Sequence, residues 1–98
     1  MAAQGLGTDV GRPVVDGLRR AEALTARARQ AGEVRDDVTG ADIVLLINAV
    51  TQGTAPVSDT APGLWRRYLS MIFDGLRPEA ARPLPVPAPQ SLAPGRAL

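Results

Sequence analysis

The side chains that could carry out chemistry in this chain of 98 residues are few and scattered. It has no histidine and no cysteine, which removes the usual ligands of zinc and excludes Ser-His-Asp and Cys-His catalysis. The adjacent carboxylates Asp36 and Asp37 could serve acid–base chemistry or bind calcium. No further convergent group lies near them in the sequence, so a polar turn is the simpler interpretation. The sequence therefore predicts no enzyme, no cofactor and no metal site.

Charge and hydropathy exclude two further classes of partner. The net charge is +1, and the eleven basic residues, all arginine, are spread along the chain. A nucleic-acid-binding surface is usually more basic and more clustered, so we expect no direct DNA binding. The longest aliphatic run, Ile43 to Ile47, is too short to span a bilayer, and the N-terminus lacks the features of a signal peptide. We expect a cytoplasmic protein with no membrane partner.

Two segments have the spacing of helices in the first half of the chain. From Pro13, apolar residues recur every three or four positions, which predicts a helix over about 13–31. Thr39 followed by Asp42 is a capping-box pattern, which predicts a second helix over about 41–52 that is apolar on nearly all sides. A buried strand is the alternative for this second segment, because Ile and Val favour strands. The capping pattern and the lack of another strand-like run favour the helix.

A third amphipathic helix is predicted over about 62–77, and it holds all three aromatic residues. Pro78 ends it, because proline disfavours helical geometry in the residue before it. Residues 1–12 are rich in Gly and Ala without a period and are expected to be a disordered lead. The proline-rich residues 78–98 are expected to be a disordered, extended tail. The predicted fold is all-α, with three antiparallel helices forming one domain over 13–77.

The second and third helices carry more apolar surface than one small domain can bury. A core built from about 65 residues, without a disulfide or a metal, supplies only about 3–5 kcal/mol. A partner chain is therefore expected to cover the rest. The candidate interface residues are Ile43, Leu46, Ile47, Val50, Trp65, Tyr68, Leu69, Ile72, Phe73 and Leu76. Asn48 and Trp65 are candidates for binding a small molecule, with a local hydrogen bond and core packing as their simpler interpretations.

Four stretches of the chain follow one another in an order that is typical of one family. They are 28–39 (ARQAGEVRDDVT), 41–43 (ADI), 64–69 (LWRRYL) and 73–78 (FDGLRP). From about Arg20 to Pro78 the chain resembles the C-terminal domain of TetR-like bacterial transcriptional repressors, and its subtype resembles the SbtR-like C-terminal domain.

This resemblance implies an all-helical domain that binds a small effector and forms a homodimer. In such regulators the last two long helices pack against their mates in a four-helix bundle, which places 41–52 and 63–77 in the interface. The family also carries an N-terminal helix-turn-helix domain, and no segment here corresponds to it. The resemblance thus predicts a truncated gene product, a mis-set start codon or a fragment, whose product would pair with itself or with a full-length relative. The alternative is a generic helical protein-interaction module.

Overall fold

The computed structural model describes the backbone of residues 2–89 and Leu92, and the side chains of that range from Val15 onward. It contains three α-helices and two short 3-10 turns, and no strand occurs in this range. The helices are α1 (Ala2–Gln30), α2 (Gly40–Thr54) and α3 (Leu64–Leu76), and the turns are Ala55–Val57 and Pro78–Ala80. The predicted all-α fold is confirmed, and the second apolar segment is a helix and not a strand.

The first helix begins earlier than the sequence predicted. Its backbone is helical from Ala2, so the expected disordered lead is wrong for residues 2–12, and Pro13 lies inside the helix. Only Met1 of that lead lies outside the described residues. The prediction rested on the glycines, but glycine costs about 1 kcal/mol against alanine without forbidding a helix. Each residue added to an existing helix gains a hydrogen bond, which opposes that cost.

The first helix, predicted to end near residue 31, ends at Gln30. Gly32 has a left-handed backbone with φ of 72°. The N–H of Glu33 donates to the carbonyl oxygen of Ala28 at 2.9 Å, which satisfies a free carbonyl of the last turn. The connector then turns inward at Val38, whose side chain is only 3% exposed.

The start of α2 is held by two carboxylates. The predicted capping box is confirmed: the Thr39 hydroxyl accepts from the Asp42 N–H at 3.3 Å, and the Asp42 carboxylate accepts from the Thr39 N–H at 2.9 Å. The carboxylate of Glu22 on α1 accepts from the N–H groups of Gly40 at 3.3 Å and Ala41 at 3.1 Å. These bonds satisfy first-turn donors that would otherwise be left free, and they attach α1 to α2.

The helices α1 and α3 both pack on α2, and the described residues of α1 and α3 do not contact each other. The most buried residues lie where α1 meets the beginning of α2: Thr25, Val38, Gly40 and Ala41. Leu24, which precedes Thr25 and lies about 100° from it around α1, is 62% exposed. The buried part of the domain is therefore small and sits at one end of α2.

The third helix begins two residues later than predicted. Gly63 is its N-cap without a side-chain hydrogen bond, and Pro62 lies outside the helix. Thr60 does not cap it, because its hydroxyl donates to the carbonyl oxygen of Val57 in the preceding turn at 3.2 Å. The helix ends at Leu76, and the predicted stop before Pro78 is confirmed.

The first part of the predicted tail is attached to the domain by Arg35. The Arg35 guanidinium donates to both carboxylate oxygens of Asp37, at 2.5 and 2.9 Å, and to the carbonyl oxygen of Arg82 at 2.5 Å. The backbone N–H of Arg35 donates to the carbonyl oxygen of Leu76 at 2.8 Å. Residues 81–89 form neither helix nor strand and bend at 85–86, and the hydrogen bond to Arg82 attaches this part of the expected disordered tail to the domain. The rest of 78–98, apart from Leu92, lies outside the described residues.

Attachment of this segment is expected to depend on pH only under strongly acidic conditions. The hydrogen bonds from Arg35 lower the pKa of Asp37 below its ordinary value of 3.8. A carboxyl group with a lowered pKa stabilises the folded form above its ordinary pKa and loses that effect as the pH falls through the lowered one. We expect the NMR signals of Leu84 to be constant from pH 7 to 5 and to shift only below about pH 4. Asp37→Asn should abolish this transition.

The control for this titration is Glu79→Gln, because Glu79 forms an exposed ion pair with Arg77 at 3.3 Å and no bond to Arg35. That variant should leave the acid transition of Leu84 unchanged. A transition with its midpoint above pH 5 would contradict the role given to Asp37.

Candidate interaction surface

The predicted apolar stripe of α3 forms, and a large part of it lies at the surface. Trp65 is 42% exposed, Tyr68 38%, Met71 61% and Phe73 55%. The other apolar members of the stripe are half-buried: Leu64, Leu69, Ile72 and Leu76. A helix of 3.6 residues per turn with an apolar arc this wide cannot bury all of it against a single neighbour. Since α3 packs on α2 alone among the helices, both sides of its contact line remain open.

One of these sides forms a shallow cavity of about 530 Å³ between α2 and α3. We call this side the tyrosine groove and define it by Ala49, Gly53, Leu64, Tyr68 and Met71. No charged side chain lines it. A methyl group added at Gly53 would meet nothing within 4 Å, so the groove is unfilled along α2. Its lining is apolar apart from the hydroxyls of Thr54 and Tyr68.

The opposite side forms a second cavity of about 390 Å³. We call it the tryptophan cavity and define it by Ile47, Thr51, Ser58, Trp65 and Leu69. The hydroxyls of Thr51 and Ser58 give it polar groups, as those of Thr54 and Tyr68 do for the tyrosine groove. The Arg66 guanidinium lies 5.2 Å from the centre of the Trp65 ring, a cation–π distance. This cavity can hold a small apolar molecule that carries a hydrogen-bonding group.

A third cavity of about 440 Å³ lies at the C-terminal end of α3. Leu45 and Leu46 of α2, Leu76 of α3 and Leu84 of the attached segment line it, and Arg35 stands at its rim. The Arg35 guanidinium donates its hydrogen bonds to Asp37 and to the carbonyl oxygen of Arg82 and not into this cavity. The apolar surface of α2 and α3 thus continues from the tyrosine groove to the C-terminal segment.

The ten predicted interface residues separate into two groups in the structure. Ile47, Trp65, Tyr68 and Phe73 are exposed, and the other six, Ile43, Leu46, Val50, Leu69, Ile72 and Leu76, are half-buried. Sequence reasoning left out Met71 and Leu45, which are also exposed apolar residues. Their spacing could have identified them, because Met71 follows Tyr68 by three positions and Leu45 precedes Ala49 by four, which places each pair on one face of its helix.

The two residues predicted to bind a small molecule are not brought together. Asn48 is exposed on α2, and its amide oxygen accepts from the Gln52 side chain at 3.1 Å. This is the local hydrogen bond that was the simpler interpretation of Asn48. Trp65 lines the tryptophan cavity, and Asn48 is not among the residues that line it.

The described residues were also searched for metal sites and for membrane-spanning helices. Within them, no group of three or more side chains from His, Cys, Asp and Glu could hold a metal ion. Nor does any of their helices combine the length and the apolar character required to cross a bilayer.

Comparisons with known proteins identify the family. Residues 3–78 match the family model described as "Transcriptional regulator SbtR-like, C-terminal domain". Neither the curated proteins nor the solved structures give a significant match. The match spans α1, α2 and α3 and ends at the proline that stops α3, so it includes both the buried end of the domain and its open apolar surface. The chain therefore belongs to the SbtR-like C-terminal domains of TetR-type transcriptional regulators.

Proposed function

We propose that this chain is the dimerisation and effector-sensing part of a TetR-like transcriptional regulator, acting without catalysis in the cytoplasm. The observation that carries the proposal is the exposed apolar surface of α2 and α3. On α3, Trp65, Tyr68, Met71 and Phe73 are each between 38% and 61% exposed. Large apolar side chains exposed side by side on one helix are typical of an association site.

The small buried core supports the same proposal. Among the described residues, only Thr25, Val38, Gly40 and Ala41 are buried, and none of the large apolar side chains is fully covered. A domain of this size needs a disulfide, a metal or a second chain to be stable. The sequence has no cysteine and no histidine, so a second chain is the remaining source of stability.

The test of dimerisation is sedimentation equilibrium of the whole chain between micromolar and millimolar concentration. We expect a mass twice the 10.2 kDa of one chain. A mass that stays at 10.2 kDa throughout would contradict this part of the proposal. The same surface would serve for pairing with a full-length relative, and copurification of a tagged chain with a co-expressed relative measures that pairing.

We place effector sensing at the tryptophan cavity. Its volume lies within the range of small-molecule sites, roughly 300–1,000 Å³, and its lining of apolar and hydroxyl groups favours a neutral, largely apolar ligand. Titration with the neutral aromatic probe 1-aminoanthracene should quench Trp65 emission with a saturable curve. A linear, unsaturable response would contradict a site at Trp65.

A further inference from the structure

We propose that the third cavity, at the C-terminal end of α3, binds an uncharged aliphatic molecule and that residues 81–88 close over it as a lid. We call this site the junction cavity and residues 81–88 the strap. The junction cavity shares no lining residue with the tryptophan cavity, where we place effector sensing. The strap follows residues 3–78, so the lid comes from a part of the chain that the family model does not cover.

The wall of the junction cavity is aliphatic. Its apolar lining comes from the connector, α2, α3 and the strap, and consists of Val38, Leu45, Leu46, Ile72, Leu76 and Leu84. None of its described lining residues is aromatic, whereas Tyr68 and Trp65 line the other two sites. A wall without rings offers no stacking partner, so it favours an aliphatic molecule over an aromatic one. The volume of about 440 Å³ lies within the range of small-molecule sites, roughly 300–1,000 Å³.

The charged groups beside the junction cavity already have partners within the chain. The Arg35 guanidinium donates to the Asp37 carboxylate at 2.5 and 2.9 Å, and only 10% of the Arg35 side chain is exposed. Asp42 accepts from the Thr39 N–H at 2.9 Å and lies at the positive end of the α2 dipole. An ion that entered the cavity would lose its water without gaining a free counter-charge. The ligand is therefore uncharged.

Leu84 is the part of the strap that lies over the junction cavity. It lines this cavity and also a second one of about 390 Å³, which the strap forms with Asp37 and Asp42. Although it borders an apolar cavity, Leu84 is 54% exposed. A molecule bound beneath it would remove apolar surface of Leu84 and of the ligand from water together. Binding therefore favours the closed position of the strap.

The strap is restrained at its base and stiff beyond it. The Arg35 guanidinium donates to the carbonyl oxygen of Arg82 at 2.5 Å, two residues before Leu84. From there prolines alternate with apolar residues, at Pro83, Pro85 and Pro87. Proline fixes φ, which reduces the conformational entropy that the strap loses when it is held in place. A small rotation beyond Arg82 would carry Leu84 toward the cavity as one unit with the residues that follow.

The test of the site is a titration of the full chain with n-octanol, followed by NMR of the assigned methyl groups. We expect saturable shifts of the Leu45, Leu76 and Leu84 methyl signals, and nuclear Overhauser contacts between octanol and Leu84. Octanoate and octylammonium have the same chain length and carry a charge. Each should bind at least about tenfold more weakly, because an ion would be desolvated without a partner.

The test of the lid compares two alanine variants of the strap. Leu84→Ala should weaken octanol binding by about fivefold, because it removes apolar contact with the ligand. Val86→Ala is the matched control and should leave the affinity unchanged, since Val86 lines only the neighbouring cavity and is 70% exposed. Octanol should also slow the exchange of the Leu84 and Val86 amide hydrogens with water, measured by NMR, because the closed strap is held more tightly.

Each outcome bears on one part of the inference. Shifts confined to Leu69, which lines the tryptophan cavity, would overturn the junction cavity as the site. Octanoate or octylammonium binding as tightly as octanol would overturn the uncharged ligand. Equal effects of Leu84→Ala and Val86→Ala, or unchanged amide exchange at saturation, would overturn the lid. Dimerisation and effector sensing at Trp65 are measured separately and stand or fall on their own tests.

Discussion

Replacement of Gly40 by alanine is expected to abolish cooperative folding of the domain. The added methyl carbon would lie 2.4 Å from the backbone nitrogen of Glu22 and 2.7 Å from the carbonyl carbon of Ala21. These are backbone atoms of α1, so no side-chain rotation relieves the clash. The helices α1 and α2 would have to separate, which lengthens the Glu22 hydrogen bonds and uncovers Val38 and Ala41.

The expected size of this effect follows from the overpacking cost. Forced insertion into a closely packed contact destabilises by about 3 kcal/mol, which is comparable with the whole stability of a core this small. Thermal unfolding followed by circular dichroism measures it. Gly17→Ala is the matched control, since nothing lies within 4 Å of the added carbon on α1. That variant should raise stability by about 0.5–1 kcal/mol. Equal melting temperatures for the two variants would show that the α1–α2 contact is looser than described.

Met71→Arg is expected to convert the chain to a monomer. Met71 is 61% exposed in a single copy and lines the open tyrosine groove, so an arginine there can extend into solvent with little disturbance of packing within the chain. In the proposed dimer the exposed apolar surface of α3 is covered by the second chain, so an arginine there would be desolvated against it. We expect the dissociation constant to rise by more than about 100-fold, since leaving an unpaired charge in an interface costs about 3 kcal/mol or more.

The control for this variant is Val15→Arg, which introduces the same side chain at a half-exposed position of α1 away from α3. It should leave the sedimentation mass unchanged. Circular dichroism of both variants separates dissociation from unfolding, because a folded monomer retains part of its helical signal. A Met71→Arg chain that remains dimeric with an unchanged dissociation constant would contradict burial of Met71 in the interface.

Local signals in the sequence were sufficient for the turns and for most helix ends. The capping box of Thr39 and Asp42 uses residues three positions apart, so its geometry follows from the backbone of one turn. Gly32 ends α1 for a similar reason, because a left-handed residue is needed there. The apolar stripe of α3 also follows from spacing alone, and its incomplete burial could be anticipated from the number of helices.

Contacts between distant residues could not be read from the pattern. Arg35 bonds to Gly75 and Arg82, which are 40 and 47 positions away, and neither carbonyl has a signature in the sequence. The close approach of Gly40 to α1 is likewise tertiary. The glycines of the first twelve residues hide the start of α1, because propagation of an existing helix outweighs their low helix propensity. Which side of α3 each aromatic ring faces became clear only once α2 was in place.

In the arrangement of the three helices, α2 is the element that connects α1 to α3. Since α1 and α3 meet α2 but not one another in the described residues, a tilt of α3 caused by a ligand or a second chain can reach α1 only through α2 or through the Arg35 junction. A movement passes from one site to another through a rigid element that can take two positions. The fifteen-residue α2, whose first turn is fixed by the capping box, is such an element. Motion would then pivot about Gly40, and its amplitude would grow toward Thr54.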